Sequence, residues 1–74
     1  MDQRDEALIN QLIGDNPDLK TLVDNHRDYE KRLEEINKRP YLSTEEDLER
    51  KKLQKAKLAG KDKIERILAA HRNN

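Results

Sequence analysis

Residues 17–38 read PDLKTLVDNHRDYEKRLEEINK. In this stretch Leu19, Leu22, His26, Tyr29, Leu33 and Ile36 recur at spacings of 3, 4, 3, 4 and 3. That rhythm puts one narrow stripe along one side of an α-helix, nearly three heptads of an a/d seam. Val23 widens the stripe. Almost every other position is charged: Lys20, Asp24, Arg27, Asp28, Glu30, Lys31, Arg32, Glu34 and Glu35. A strand would need alternation by two, which is absent, so the stretch predicts an amphipathic helix from about Pro17 to Lys38, roughly 33 Å long at about 1.5 Å per residue. Its start is marked by Asn16 as a cap and by Pro17 at the first helical position, where the missing N–H costs nothing. Its end is marked by Pro40, which biases Arg39 away from helical geometry.

Beyond the proline, Leu42-Ser43-Thr44-Glu45-Glu46 opens a second long helix, expected from Thr44 to about Ala70 and roughly 40 Å long. Ser43 as N-cap with Glu46 three residues later makes a capping box; Thr44 with Asp47 is the alternative. The connection from Arg39 to Ser43 is short enough to make the two long helices antiparallel neighbours. The apolar stripe of this helix is looser: Leu53, Ala56, Gly60, Ile64, Ile67 and Leu68 share about one face. Leu48 and Leu58 fall off that face on opposite sides. A bare hairpin leaves both in water, so they are expected to be covered by another helix of the chain or by a second copy. Gly60 in mid-helix either permits a close backbone approach or weakens the helix by about 1 kcal/mol relative to alanine.

Upstream, Met1 to Ile13 reads as a short helix, about residues 3–13, with Leu8, Ile9, Leu12 and Ile13 on one side. Asp2, Asp5 and Glu6 suit the positive end of its dipole. Gly14 is expected to end it in a left-handed conformation. About three turns are marginal alone, so this helix must dock on the hairpin.

Composition agrees with thin helical stripes. The 74 residues, one domain spanning 1–74, are 32% hydrophobic and 43% charged, with no Phe or Trp and two tyrosines, Tyr29 and Tyr41. Tyr29 fits the seam, and Tyr41 is expected to lie as a lid over the hairpin end in preference to contacting a partner. The absence of cysteine rules out disulfides, thiolate zinc sites and cysteine nucleophiles. No run approaches the roughly 20 apolar residues of a membrane span, and the start lacks a signal-peptide apolar block. A soluble cytoplasmic protein is expected. Charge is segregated: residues 1–49 hold seven Lys/Arg against fourteen Asp/Glu, net −7, and residues 50–74 hold nine against two, net +7. Acids at the start of the last helix and bases after it complement its dipole, and pairs such as Glu46–Arg50 and Asp47–Lys51 stand at helical i, i+4 spacing.

Asn16-Pro17, then Leu22, His26, Tyr29 and Leu33, the Leu42-Ser43 opening before an acidic turn, and the segment from Leu53 to Ile64 with its Lys61-Asp62 pair together resemble the YdcH-like family of small bacterial proteins. The likeness covers roughly Leu8 to Leu68. It implies a helical hairpin of unknown function in the bacterial cytoplasm and no particular activity. Gly60 departs from the pattern, which expects a leucine near the Lys-Asp pair.

His26 on the seam has no second histidine, cysteine or carboxylate cluster at metal-site spacing, so it reads as a packed or hydrogen-bonded seam residue. His71, near a helix C-terminus, reads as a dipole-favoured charge. The many acids are spaced along helix surfaces, and a rod is expected to offer no pocket of a few hundred Å³ for a carboxylate pair to work in. No phosphate loop or nucleophile motif is present. No enzyme, cofactor, metal, membrane contact or small-molecule substrate is expected. The leading expectation is a non-enzymatic interaction or adaptor protein working through helical surfaces, with a protein partner or a homodimer, and with Leu48, Leu58 and Tyr41 as the candidate contact residues. The alternative is a small nucleic-acid-associated regulator. Lys52, Lys55, Lys63 and Arg66 share the outward face of the last helix and would contact phosphates. Asp62 and Glu65 interrupt that face, and no aromatic side chain stands ready to stack on bases.

Overall fold

The computed structural model describes residues 3–72. Asp2, read as part of the acidic start of the first helix, lies outside the described residues. Three helices follow in order: α1 (Gln3–Leu12), α2 (Pro17–Asn37) and α3 (Thr44–Arg72). The described residues contain no strand. The long helices lie side by side as a hairpin, α1 packs at one end of it, and the whole is a rod of 47 × 19 × 17 Å.

Each boundary has a local cause. The Asn16 side chain accepts a hydrogen bond from the Leu19 N–H at 3.0 Å, capping α2 just ahead of Pro17. At the far end Lys38 keeps helical angles and its N–H reaches the Glu34 carbonyl at 3.2 Å, after which Pro40 forbids another turn. The capping box of α3 forms on Ser43, not Thr44. The Glu46 N–H donates to Ser43 Oγ and the Ser43 N–H donates to Glu46 Oε1, both at 3.1 Å. The second oxygen of Glu46 accepts from Arg39, so one carboxylate closes the helix start and holds the loop that precedes it. The end of α1 departs from expectation. No described residue, Gly14 included, has positive φ. The chain leaves α1 through ordinary turns, with Ile13 N–H on the Ile9 carbonyl at 2.9 Å and Asp15 N–H on the Leu12 carbonyl at 3.1 Å. Two successive right-handed turns reach Asn16 without needing a glycine's special conformation.

The core is concentrated at the end of the rod away from the Pro40 bend. Ile9, Leu19, Val23, Ile64 and Leu68 form one buried cluster, with Leu8, Leu12, Ile13, Leu22 and Ile67 packed around it. The expected stripes of all three helices meet there. Nearer the bend, Leu33 and Ile36 are buried, while Leu53 and Ala56 opposite are half-buried. The expectation that α1 covers Leu48 and Leu58 fails. A helix of ten residues spans about 15 Å, against about 43 Å for the twenty-nine of α3, so α1 covers only the end it docks on. The tyrosine lid fails too: Tyr41 is 89% exposed, because the chain leaves the loop directly into the capped start of α3.

Gly60 is half-buried, yet a Cβ built on it meets nothing within 4 Å. Close backbone approach is therefore not its role, and it simply weakens α3. Replacing Gly60 by Ala is expected to stabilise the fold by about 1 kcal/mol, read as a rise of roughly 4–8 °C in thermal midpoint for a domain this small. An unchanged or lower midpoint would show that the backbone at Gly60 is constrained.

Candidate interaction surface

The two flanks of α2 differ. On one, Tyr29 is half-buried and Arg32 makes an ion pair with Glu49 of α3. On the other stand Arg27, Glu30, Lys31, Glu34 and Lys38, a row at helical spacing. No ion pair among the described residues crosses from that row to α3. Between this flank and Gln54, Lys57 and Leu58 of α3 runs an open groove of about 990 Å³. The expectation that a rod offers no such concavity is thus corrected: an ion pair bridges the two helices on one flank, and the other flank is open. Leu33, 7% exposed, forms the floor, and Leu58, 66% exposed, stands at the rim. Glu6 of α1 closes one end. The groove therefore continues the berth in which α1 lies.

Two neighbouring acids fix α1 at that end. Glu6 pairs with Arg27 of α2 at 3.4 Å, and Asp5 pairs with Arg72 of α3. One turn of α1 is thereby tied to both long helices, and the groove's end wall is set in place.

His26 lies between the closed core and the groove, and is 3% exposed. Its Nδ1 stands 2.7 Å from Glu30 Oε1, and its Nε2 is buried without a hydrogen-bond partner. A neutral ring with its proton on Nδ1, donated to Glu30, satisfies this arrangement. A second proton on Nε2 would have no acceptor. Burial accordingly pulls the pKa below the ordinary 6.5. Glu30 opposes that shift, and Lys57 and Lys61 across on α3 reinforce it.

The residues anticipated as contacts do not form one patch. Leu58 lines the groove, whereas Leu48 (53% exposed) and Tyr41 do not. Leu48 and Leu58 are about 15 Å apart along α3 and about 80° apart around it. The anticipated phosphate contacts are all exposed. Lys52, Lys55 and Lys63 make no ion pair among the described residues, while Arg66 is engaged by Asp62 at 2.9 Å. None of the four lines the groove. The groove row itself went unread in the sequence, although its spacing of 27, 31, 34 and 38 was available as a signal. Among the described residues no cluster of three potential metal ligands occurs, and no helix is long and apolar enough to cross a membrane.

A sequence-family model described as "Protein of unknown function (DUF465)" matches residues 19–68. No curated protein and no solved structure matches the chain.

The state of His26 makes stability depend on pH. An unfolded histidine takes up its proton near pH 6.5, whereas folded His26 resists protonation to lower pH. Between those two points the unfolded chain binds more protons, so stability falls as pH drops below about 6.5, until the folded ring also titrates. Urea midpoints at pH 8 and pH 5.5 should show this loss, and a His26→Gln variant should show a flatter pH dependence. Equal slopes for the two proteins would mean that His26 is not the group responsible.

Proposed function

We propose, for a chain that belongs to the DUF465 family of proteins of unknown function, that it is a non-enzymatic interaction module which receives an amphipathic helix of a protein partner along the uncovered face of its hairpin. The observation that carries this reading is the groove beyond α1, with an apolar floor at Leu33, an exposed Leu58 on its rim and a mixed-charge border from Glu30, Lys31, Glu34 and Lys57. An amphipathic helix binds such a surface by laying its apolar stripe on the floor and its charges against the rim. The chain itself supplies the precedent, since α1 occupies the neighbouring stretch of the same face by burying Ile9 and pairing Asp5 and Glu6 with arginines. The reading places the protein in the cytoplasm, where a chain without cysteine needs no disulfide.

A second reading rests on Lys52, Lys55 and Lys63, exposed and without ion pairs among the described residues. Lys52 and Lys63 line up along α3 about 16 Å apart, a spacing that phosphates along a nucleic-acid backbone can meet. Arg66 contributes less, because the Asp62 carboxylate 2.9 Å away offsets its charge toward an anionic ligand.

The full chain used as bait separates the two. Under the first reading, a protein retained by the wild type is lost by at least about ten-fold with Leu58→Asp, and is kept when Lys52, Lys55 and Lys63 are all changed to Glu. Under the second, RNA or DNA binding falls steeply with salt and disappears in the triple lysine variant while Leu58→Asp is unaffected. Retention of the protein partner by Leu58→Asp would remove the groove from the explanation.

A further inference from the structure

The charges on the face of α3 that carries Leu58 are arranged antisymmetrically about that residue. From Arg50 onward the sequence holds two acids, Asp62 and Glu65. Both follow Leu58 on its own side of the helix, about one and two turns on. Lys55 and Lys51 precede it on the same side, about one and two turns back. At 100° per residue, Lys51 and Glu65 each lie within about 20° of the Leu58 direction, while Lys55 and Asp62 share one flank of it. Lys51 and Glu65 are about 21 Å apart along the axis, so they cannot meet within one chain. Glu65 and Lys55 make no ion pair among the described residues. Lys51 and Asp62 make only exposed i, i+4 pairs, with Asp47 at 3.2 Å and with Arg66 at 2.9 Å, and pairs of that kind are weak.

A two-fold axis perpendicular to α3 and passing by Leu58 turns this pattern onto its complement. It brings Lys51 opposite Glu65 of a second copy and Lys55 opposite Asp62 of a second copy, each twice. It sets Leu58 against Leu58 on the axis and leaves Gln54 beside the second copy's Lys61. We propose that two copies of this chain associate through antiparallel α3 helices centred on Leu58. The inference rests on the reading of the Leu58 surface as a docking face, and it names the occupant. Such a contact is isologous and closes on itself. It is also narrow: one helix against one helix falls short of the roughly 800 Å² per partner of standard stable interfaces. The dimer is therefore weak, and salt weakens it further because its flanking contacts are exposed ion pairs.

Sedimentation of the full chain from about 10 μM to about 1 mM at low salt should show monomer passing to dimer, with the transition moving to higher concentration in about 0.5 M salt, where charges are screened beyond a few Å. Leu58→Glu should leave a monomer with unchanged helical circular dichroism, since the residue is already exposed. Leu48→Glu should leave the dimer intact. Lys51→Glu should raise the dissociation constant by about ten-fold, from two lost attractions and two new repulsions. Adding Glu65→Lys to the same chain should restore it to within about three-fold, a rescue that only contact between copies can give. A monomer throughout the range overturns the proposal, as does a dimer indifferent to Leu58→Glu or a double charge swap without rescue. If the chain is monomeric while Leu58→Asp still abolishes capture of another protein, the self-association is lost and the interaction-module reading stands.

Discussion

Everything else in this molecule depends on the contact among Ile9, Leu19, Val23, Ile64 and Leu68. A chain with 32% hydrophobic residues can enclose apolar side chains only where three stripes converge, because two parallel rods touch along a line and leave both sides wet. The end of the hairpin nearest α1 meets that condition: Ile9, Leu19 and Ile64 are all fully excluded from solvent there. A three-turn helix is not stable alone, so α1 exists by virtue of this contact, and the contact exists by virtue of α1. The ion pairs of Asp5 and Glu6 with Arg72 and Arg27 are exposed and add little free energy. Their effect is directional, because they tie one turn of α1 to both long helices. Where α1 stops, the groove begins.

Toward the bend, Leu33 and Ile36 are buried, and hydrogen bonds and ion pairs set the local geometry around them. Glu46 uses one oxygen for the capping box and the other for Arg39. Arg32 and Glu49 join the long helices on one flank. Asp47 is held below the usual carboxylate range, chiefly by its hydrogen bond with Lys51 and further by Arg50. These groups fix the geometry of the bend without closing the groove flank, because each acts locally or on the far side. Such a segment, with less apolar burial, opens at lower cost than the closed core.

The hairpin was legible because α2 carries its seam at strict 3–4 spacing and is bracketed by Asn16-Pro17 and Pro40. The capping box was legible because Ser43 and Glu46 satisfy each other across one turn and need nothing from elsewhere. The position of α1 was not. Leu8, Ile9, Leu12 and Ile13 show that one side of the helix must be buried, but a short stripe does not say against which end of a long rod. Of the two covers expected for Leu48 and Leu58, the one by α1 is therefore not supplied, since both remain more than half exposed. The groove escaped notice for a related reason. Glu30, Lys31, Glu34 and Lys57 read individually as solvated charges, and only the placement of α2 beside α3 brings them to the border of one concavity. Gly14 was given a conformational role that the backbone does not require of it, and of the two readings of Gly60 only the weakening of the helix survives.

The closed core and the groove meet at His26 and Glu30. Glu30 accepts a hydrogen bond from the buried ring and also lines the groove, so it belongs to both regions at once. Removing its carboxylate strips a hydrogen bond from a group that already has one orphaned nitrogen, and it alters the rim facing any docked helix. A change at Glu30 is therefore read simultaneously in stability and in binding, and does not tell the two apart. Leu58 has the opposite character. It is mostly exposed and outside the core cluster, so the fold asks little of it. It stands in water next to a groove whose floor is another leucine. That separation makes Leu58 the side chain through which the surface can be examined without disturbing the rod.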